Sequence, residues 1–165
     1  MGYHWSVLDL YGVSSSHELA ELFLDSLLGK SLLEQLKARR IIQLAIKPFL
    51  FGGGICTIEN LGFSMILNWP FQPQGNEYYA TNFGHELFHT FQFNLDNMKP
   101  MWGESREELY KRMVNRIRKS KRYYRELENC AETFAFLWAS YSDHRNQLEE
   151  FIDRFKNSVV DVQSL

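Results

Sequence analysis

Two spacings of apolar residues divide the chain into helical and extended stretches. In "SSHELAELFLDSLLGK" the apolar positions 19, 22, 23 and 27 recur at three and four residues, which predicts an amphipathic helix. Ser15 and Glu18 stand at capping-box spacing and Gly29 supplies a stop. "SLLEQLKARRIIQLAIK" repeats the device with Ser31 and Glu34, and the pattern predicts a second helix that runs on until Pro48 forbids further turns. From 48 to 70, "PFLFGGGICTIENLGFSMILNWP" has β-branched and apolar runs broken by Gly52 to Gly54, by Asn60 to Gly62 and by Pro70, which predicts a small antiparallel sheet. Helical spacing returns near 77 and predicts helices around 77–95, 104–119 and 122–141, then a polar tail helix around 145–158. No repeat, low-complexity tract or linker interrupts the 165 residues, so the expectation is one α+β domain over 1–165, with N-terminal helices, a small mostly antiparallel sheet and C-terminal helices.

Composition narrows the classes of function. An apolar fraction of 45% with 15% aromatic residues is ample for a core, and a formal charge of −2 gives no global attraction to nucleic acid or acidic lipid. No stretch reaches the roughly 18 apolar residues of a spanning helix, and the N-terminus lacks the pattern of a secretory signal. Cys56 and Cys130 are too few for a disulfide framework and lack zinc-knuckle spacing; both are expected as buried thiols in a reducing, cytoplasmic setting. "KRMVNRIRKSKRYYR" carries eight Lys or Arg residues between 111 and 125, interleaved with Tyr123 and Tyr124. Glu104, Glu107, Glu108, Glu126 and Glu128 balance it, which favours a solvated helix face over a nucleic-acid surface. Neither a nucleic acid nor a membrane is the expected partner.

The stretch "YATNFGHELFHTFQF", residues 79–93, carries the candidate chemistry. On a helix turning about 100° per residue, His85 and His89 project from one face a turn apart, the arrangement two imidazoles need to reach one tetrahedral ion. Ala80, Gly84, Leu87, Phe88, Phe91 and Leu95 form the core stripe, and the histidines lie with Gln92 on its flank. Glu86 points a step further round, toward a water rather than an ion. Zinc held by three protein groups keeps a position for water and lowers its pKa to about 7, so that a nearby carboxylate can take the proton. A third ligand is therefore required. The Met-turn pattern HExxHxxGxxH is excluded, because Gln92 and Leu95 occupy its glycine and last histidine positions. In "ELENCAETFAFLWASY" the predicted core stripe is Leu127, Cys130, Ala131, Phe134, Trp138 and Tyr141, with Glu128 and Glu132 a turn apart on one flank. Two helices packed by these stripes would bring the His pair beside the Glu pair.

His85-Glu86-Leu87-Phe88-His89 together with Glu128-x-x-Ala131-Glu132-x-Phe134-Ala135 resembles the gluzincin clan of zinc peptidases, and its lethal-factor-like and thermolysin-like branches in particular. The resemblance covers the two motifs and the helix, strand, helix order, about a quarter of the chain. It implies a zincin-like domain in which His85, His89 and Glu128 ligate Zn2+, Glu86 is the general base and acid, and Glu132 supports a ligating histidine. It also implies a peptide or protein substrate paired with an edge strand, for which "FSMILNW" is the candidate. Tyr123, Tyr124, Tyr141 and His144 are candidates for stabilising an oxyanion. The chain lacks the large second lobe of thermolysin-like enzymes. His4, His17 and His144 are otherwise read as ordinary surface or packing histidines. A different class remains open: a catalytically silent zinc-binding sensor or partner-binding module with 111–125 as its contact surface.

Overall fold

Capping side chains set the first three helices. In the computed structural model, which describes residues 6–48, 52–59, 62–70, 74–92 and 121–165, α1 (Val7–Tyr11) starts at a capping box of Ser6 and Asp9, and α3 (Leu32–Ala38) at the box of Ser31 and Glu34. α2 (Ser16–Asp25) takes only half of its expected box. Ser15 Oγ accepts from the Glu18 N–H, but the Glu18 carboxylate turns to Ser14 and accepts from both its N–H and its hydroxyl.

The second helix is shorter than its apolar pattern suggests. α3 ends at Ala38, Arg40 takes a left-handed φ of 59°, and the chain leaves as strand β1 (Ile41–Lys47). Apolar residues at 36, 41, 44 and 45 satisfy a helical period and a strand equally. The β-branched Ile41, Ile42 and Ile46 and the pairing available to them decide for the strand.

β2 (Gly54–Glu59) and β3 (Gly62–Asn68) form the expected antiparallel hairpin, but the sheet is mixed and has four strands in the order β2-β3-β1-β4, with β1 and β3 parallel. β4 (Ser158–Asp161) pairs antiparallel with β1. It follows the tail helix, which runs 142–155 rather than 145–158. β3 therefore lies inside the sheet, and the expectation that "FSMILNW" is an edge strand is overturned. The edge on that side is β2.

α4 (Asn76–Gln92) covers the sheet and packs against α5 (Lys121–Ser140), with α6 (Ser142–Phe155) following a break at Tyr141. Phe63, Met65 and Leu67 of β3, Phe83, Leu87 and Phe88 of α4, and Leu127, Ala131, Phe134 and Trp138 of α5 belong to one buried cluster. The stripes expected of both helices are thus the packed ones, except that Tyr141 is exposed and Leu95 lies outside the described residues. The helix expected at 104–119 and residues 111–120 of the basic run lie outside them too. Among the described residues, no helix is long and apolar enough to cross a membrane. Cys130 is buried, Cys56 is only half-buried, and both are free thiols.

Candidate metal centre

Close approach of two helices assembles the site. At Gly84 a Cβ would meet Ala135 Cα at 3.0 Å and Trp138 Cβ at 3.4 Å, so only glycine lets α4 and α5 lie this near each other. The next residue on α4 is His85. Its Nε2 stands 3.1 Å from Glu128 Oε2, while His89 Nε2 stands 4.0 Å from Glu128 Oε1. The ligand atoms of His85, His89 and Glu128 all lie within 4.8 Å of one another. Tetrahedral ligation at metal-to-ligand lengths near 2.0–2.1 Å sets donor atoms about 3.3 Å apart, a separation that these two distances bracket. The donors fit a divalent ion with mixed imidazole and carboxylate ligation.

Burial keeps His85 below the usual imidazole pKa, more than the Glu128 carboxylate beside it pulls the other way. The contact is thus one between a neutral imidazole and a carboxylate, and neutral imidazole is the form that ligates. His89 is oriented from its other nitrogen: Nδ1 lies 2.6 Å from Gln92 Oε1, and with the proton on Nδ1 the ring donates to that oxygen and keeps Nε2 unprotonated, the form that ligates. Gln92 is buried, and its Nε2 reaches the buried Tyr123 hydroxyl at 3.5 Å. The signal for this support was present in the sequence as the His89–Gln92 spacing of three on one helix.

Glu86 lies apart from the ligand group and borders the same cavity of about 440 Å3, facing Gly54 and Cys56 of β2. It is only 7% exposed. A Cβ at Gly54 would stand 3.0 Å from Glu86 Cγ and 2.6 Å from the Ile66 carbonyl oxygen, so a glycine at this strand position makes room for the carboxylate. Burial first, and the charge of Glu128 second, push the Glu86 carboxyl up to about 7. Burial and Glu86 push the Cys56 thiol up to about 12, which leaves it protonated and a poor nucleophile.

Glu132 is exposed and borders a different hollow with His85; no hydrogen bond joins it to either histidine among the described contacts, though its charge favours protonated His85. Of the oxyanion candidates, Tyr124 borders the Glu86 cavity. Tyr123 is buried beneath Gln92. His144 is buried in another network, with Nδ1 2.9 Å from the Trp138 carbonyl oxygen and Nε2 3.2 Å from Gln35 Nε2, and Tyr141 packs on its ring. That network occupies both ring nitrogens of His144, and Tyr141 does not border the Glu86 cavity.

The far end of α4 is held by Arg39. Its Nε and Nη2 donate to Thr90 Oγ1 and to the Thr90 carbonyl, each at 3.1 Å, and its guanidinium lies 3.6 Å from the centroid of the Phe91 ring. A cation on the last carbonyls of a helix satisfies groups that the helix cannot satisfy itself.

No protein-family model, curated protein or solved structure matches the chain.

Proposed function

We propose that this chain is a zinc-dependent metallopeptidase of gluzincin type, a zincin-like domain that hydrolyses peptide bonds. One observation carries the reading: His85, His89 and Glu128 converge their ligand atoms, while Glu86, from the same helix, enters the same cavity without joining the ligand group. Three ligands with one position left open is the arrangement of catalytic rather than structural zinc. A zinc ion so held supplies Lewis acidity toward a carbonyl and acidifies water.

The chain's own groups do the rest. Glu86, with a carboxyl pKa near the operating pH, takes a proton from water and returns it to the leaving amine. Gln92 fixes the ring of His89. Tyr124 offers a hydroxyl at the rim for the developing oxyanion. The edge strand β2, which borders the cavity through Gly54 and Cys56, offers backbone groups to an extended peptide, the role expected of "FSMILNW".

The test joins metal analysis to hydrolysis. Protein purified without chelator is expected to hold one zinc per chain and to cleave an unfolded protein such as casein. Glu86→Gln is expected to keep the zinc and lose the cleavage, because an amide does not accept the proton. Absence of zinc even after reconstitution overturns the reading. Zinc without cleavage in the wild type leaves the silent zinc-binding module in its place.

A further inference from the structure

His85 borders a second hollow, of about 370 Å3, whose other walls are Thr81, Asn82, Glu132, Ala135 and Phe136. We propose that this hollow is a specificity subsite for a lysine or arginine side chain of the peptide substrate; the proposal rests on the metallopeptidase reading of the neighbouring centre.

Two features of the hollow point to a cation on an aliphatic stem. Glu132 is exposed and forms no ion pair among the described residues, and its partner on the same flank, Glu128, belongs to the metal ligand group. Glu132 is therefore the negative charge left available to a substrate. One turn further along α5, Phe136 is 67% exposed, a large ring that the core does not use. An exposed ring beside a carboxylate suits a side chain that lays methylenes on an aromatic face and carries its charge to the acid.

Position along the peptide follows from Gly53. A Cβ there would meet the Asn82 side chain at 2.2 Å, so one wall of the hollow packs against the residue that leads into β2, the edge strand that borders the Glu86 cavity. A peptide laid along β2 passes both. A neutral leucine would keep the contact with Phe136 and leave Glu132 unpaired, and a glutamate would meet like charge.

Matched hexapeptides that differ only by Lys, Leu or Glu, scanned through each position, test the proposal on zinc-loaded full-length protein. Binding to the non-hydrolysing Glu86→Gln chain is read by fluorescence anisotropy, and cleavage by the wild type as kcat/KM. The expected result is a preference of about tenfold for Lys over Leu at one position, larger over Glu. In the Glu86→Gln background, Glu132→Lys should turn that position toward Glu. Phe136→Ala should weaken binding of the Lys and Leu peptides together, the Lys peptide somewhat more, while leaving zinc content and melting temperature unchanged, since the ring is exposed. No preference for Lys at any position, a preference that survives Glu132→Lys, or Lys binding that Phe136→Ala leaves undiminished overturns the subsite. So does loss of zinc from Glu132→Gln with an unchanged preference, which would make Glu132 a positioning residue for His85. The two readings fail separately: selective binding without wild-type cleavage removes the peptidase and keeps the subsite, whereas indifferent cleavage does the reverse.

Discussion

Glu86 illustrates how a single residue can work against stability and for chemistry. Its folded carboxyl sits at about 7 against an ordinary 4.5, so the folded chain holds this proton more tightly than the unfolded chain does. Stability from this group is therefore complete below about pH 4.5 and falls as pH rises to about 7. At about 1.4 kcal/mol per pH unit the loss reaches about 3 kcal/mol. In chelator-treated protein, Glu86→Gln should match the wild type at pH 4.5 and exceed it at pH 8 in denaturant unfolding. A constant difference across that range would show that the carboxyl is not perturbed. The other residues of the centre are separated by metal affinity. Glu128→Ala and His89→Ala each remove a donor and should abolish stable zinc binding. Gln92→Ala should weaken it about 10- to 100-fold by releasing the His89 ring, as expected of groups that orient ligands. Glu132→Ala, with no hydrogen bond to a histidine, should weaken it less than Gln92→Ala. Isothermal titration with zinc gives all four values, and the reverse order for Gln92 and Glu132 would restore the support that the resemblance assigns to Glu132.

At the scale of elements, the site depends on how closely α4 and α5 cross. Gly84→Ala gains about 1 kcal/mol of helix propensity but places a methyl 3.0 Å from the Ala135 backbone, which yields only if a helix axis shifts. The expected net loss is about 1–2 kcal/mol by chemical denaturation, together with weaker zinc binding because His85 moves away from Glu128. Gly75→Ala, which meets nothing within 4 Å, should leave zinc binding unchanged. Loss of stability at Gly84 without loss of zinc affinity would uncouple the crossing from the centre. The sheet shows how elements mislead when read alone. "IIQLAIK" has the apolar spacing of a helix, and no glycine marks the end of α3, because Arg40 makes the left-handed turn itself. The short "SVVD" of β4 carries too little pattern to stand out from the polar tail, and only its pairing with β1 makes it a strand.

At the scale of the molecule, a metal that binds the folded chain and not the unfolded one stabilises the whole fold. With zinc at about 1,000 times its dissociation constant the gain is about 4 kcal/mol, on the order of 10 °C in melting temperature for a chain of this size. Calorimetry before and after chelation should show this drop, restored by zinc and absent in Glu128→Ala. An unchanged melting temperature on chelation of zinc-loaded protein would mean that the ion makes no net contribution to the folded state.

The sequence alone determined what is local and periodic. The helix starts at Ser15 and Ser31, the hairpin of β2 and β3, the buried stripes of α4 and α5, and the spacing of His85, Glu86 and His89 all follow from residues within a few turns of each other. The meeting of the His pair with the Glu128 and Glu132 pair was legible because packing of the two apolar stripes carries their polar flanks along, whereas the choice of Glu128 over Glu132 came from the gluzincin resemblance. Tertiary structure alone decided which strand is an edge, since β1 takes the place beside β3 only after a chain reversal that no local pattern marks. It also decided that Glu86 is buried against Gly54, that Gln92 holds His89, and that His144 belongs to another network. Each of these depends on which distant groups remove water from a side chain or meet its hydrogen bonds, and neither burial nor partnership is a property of spacing along the chain.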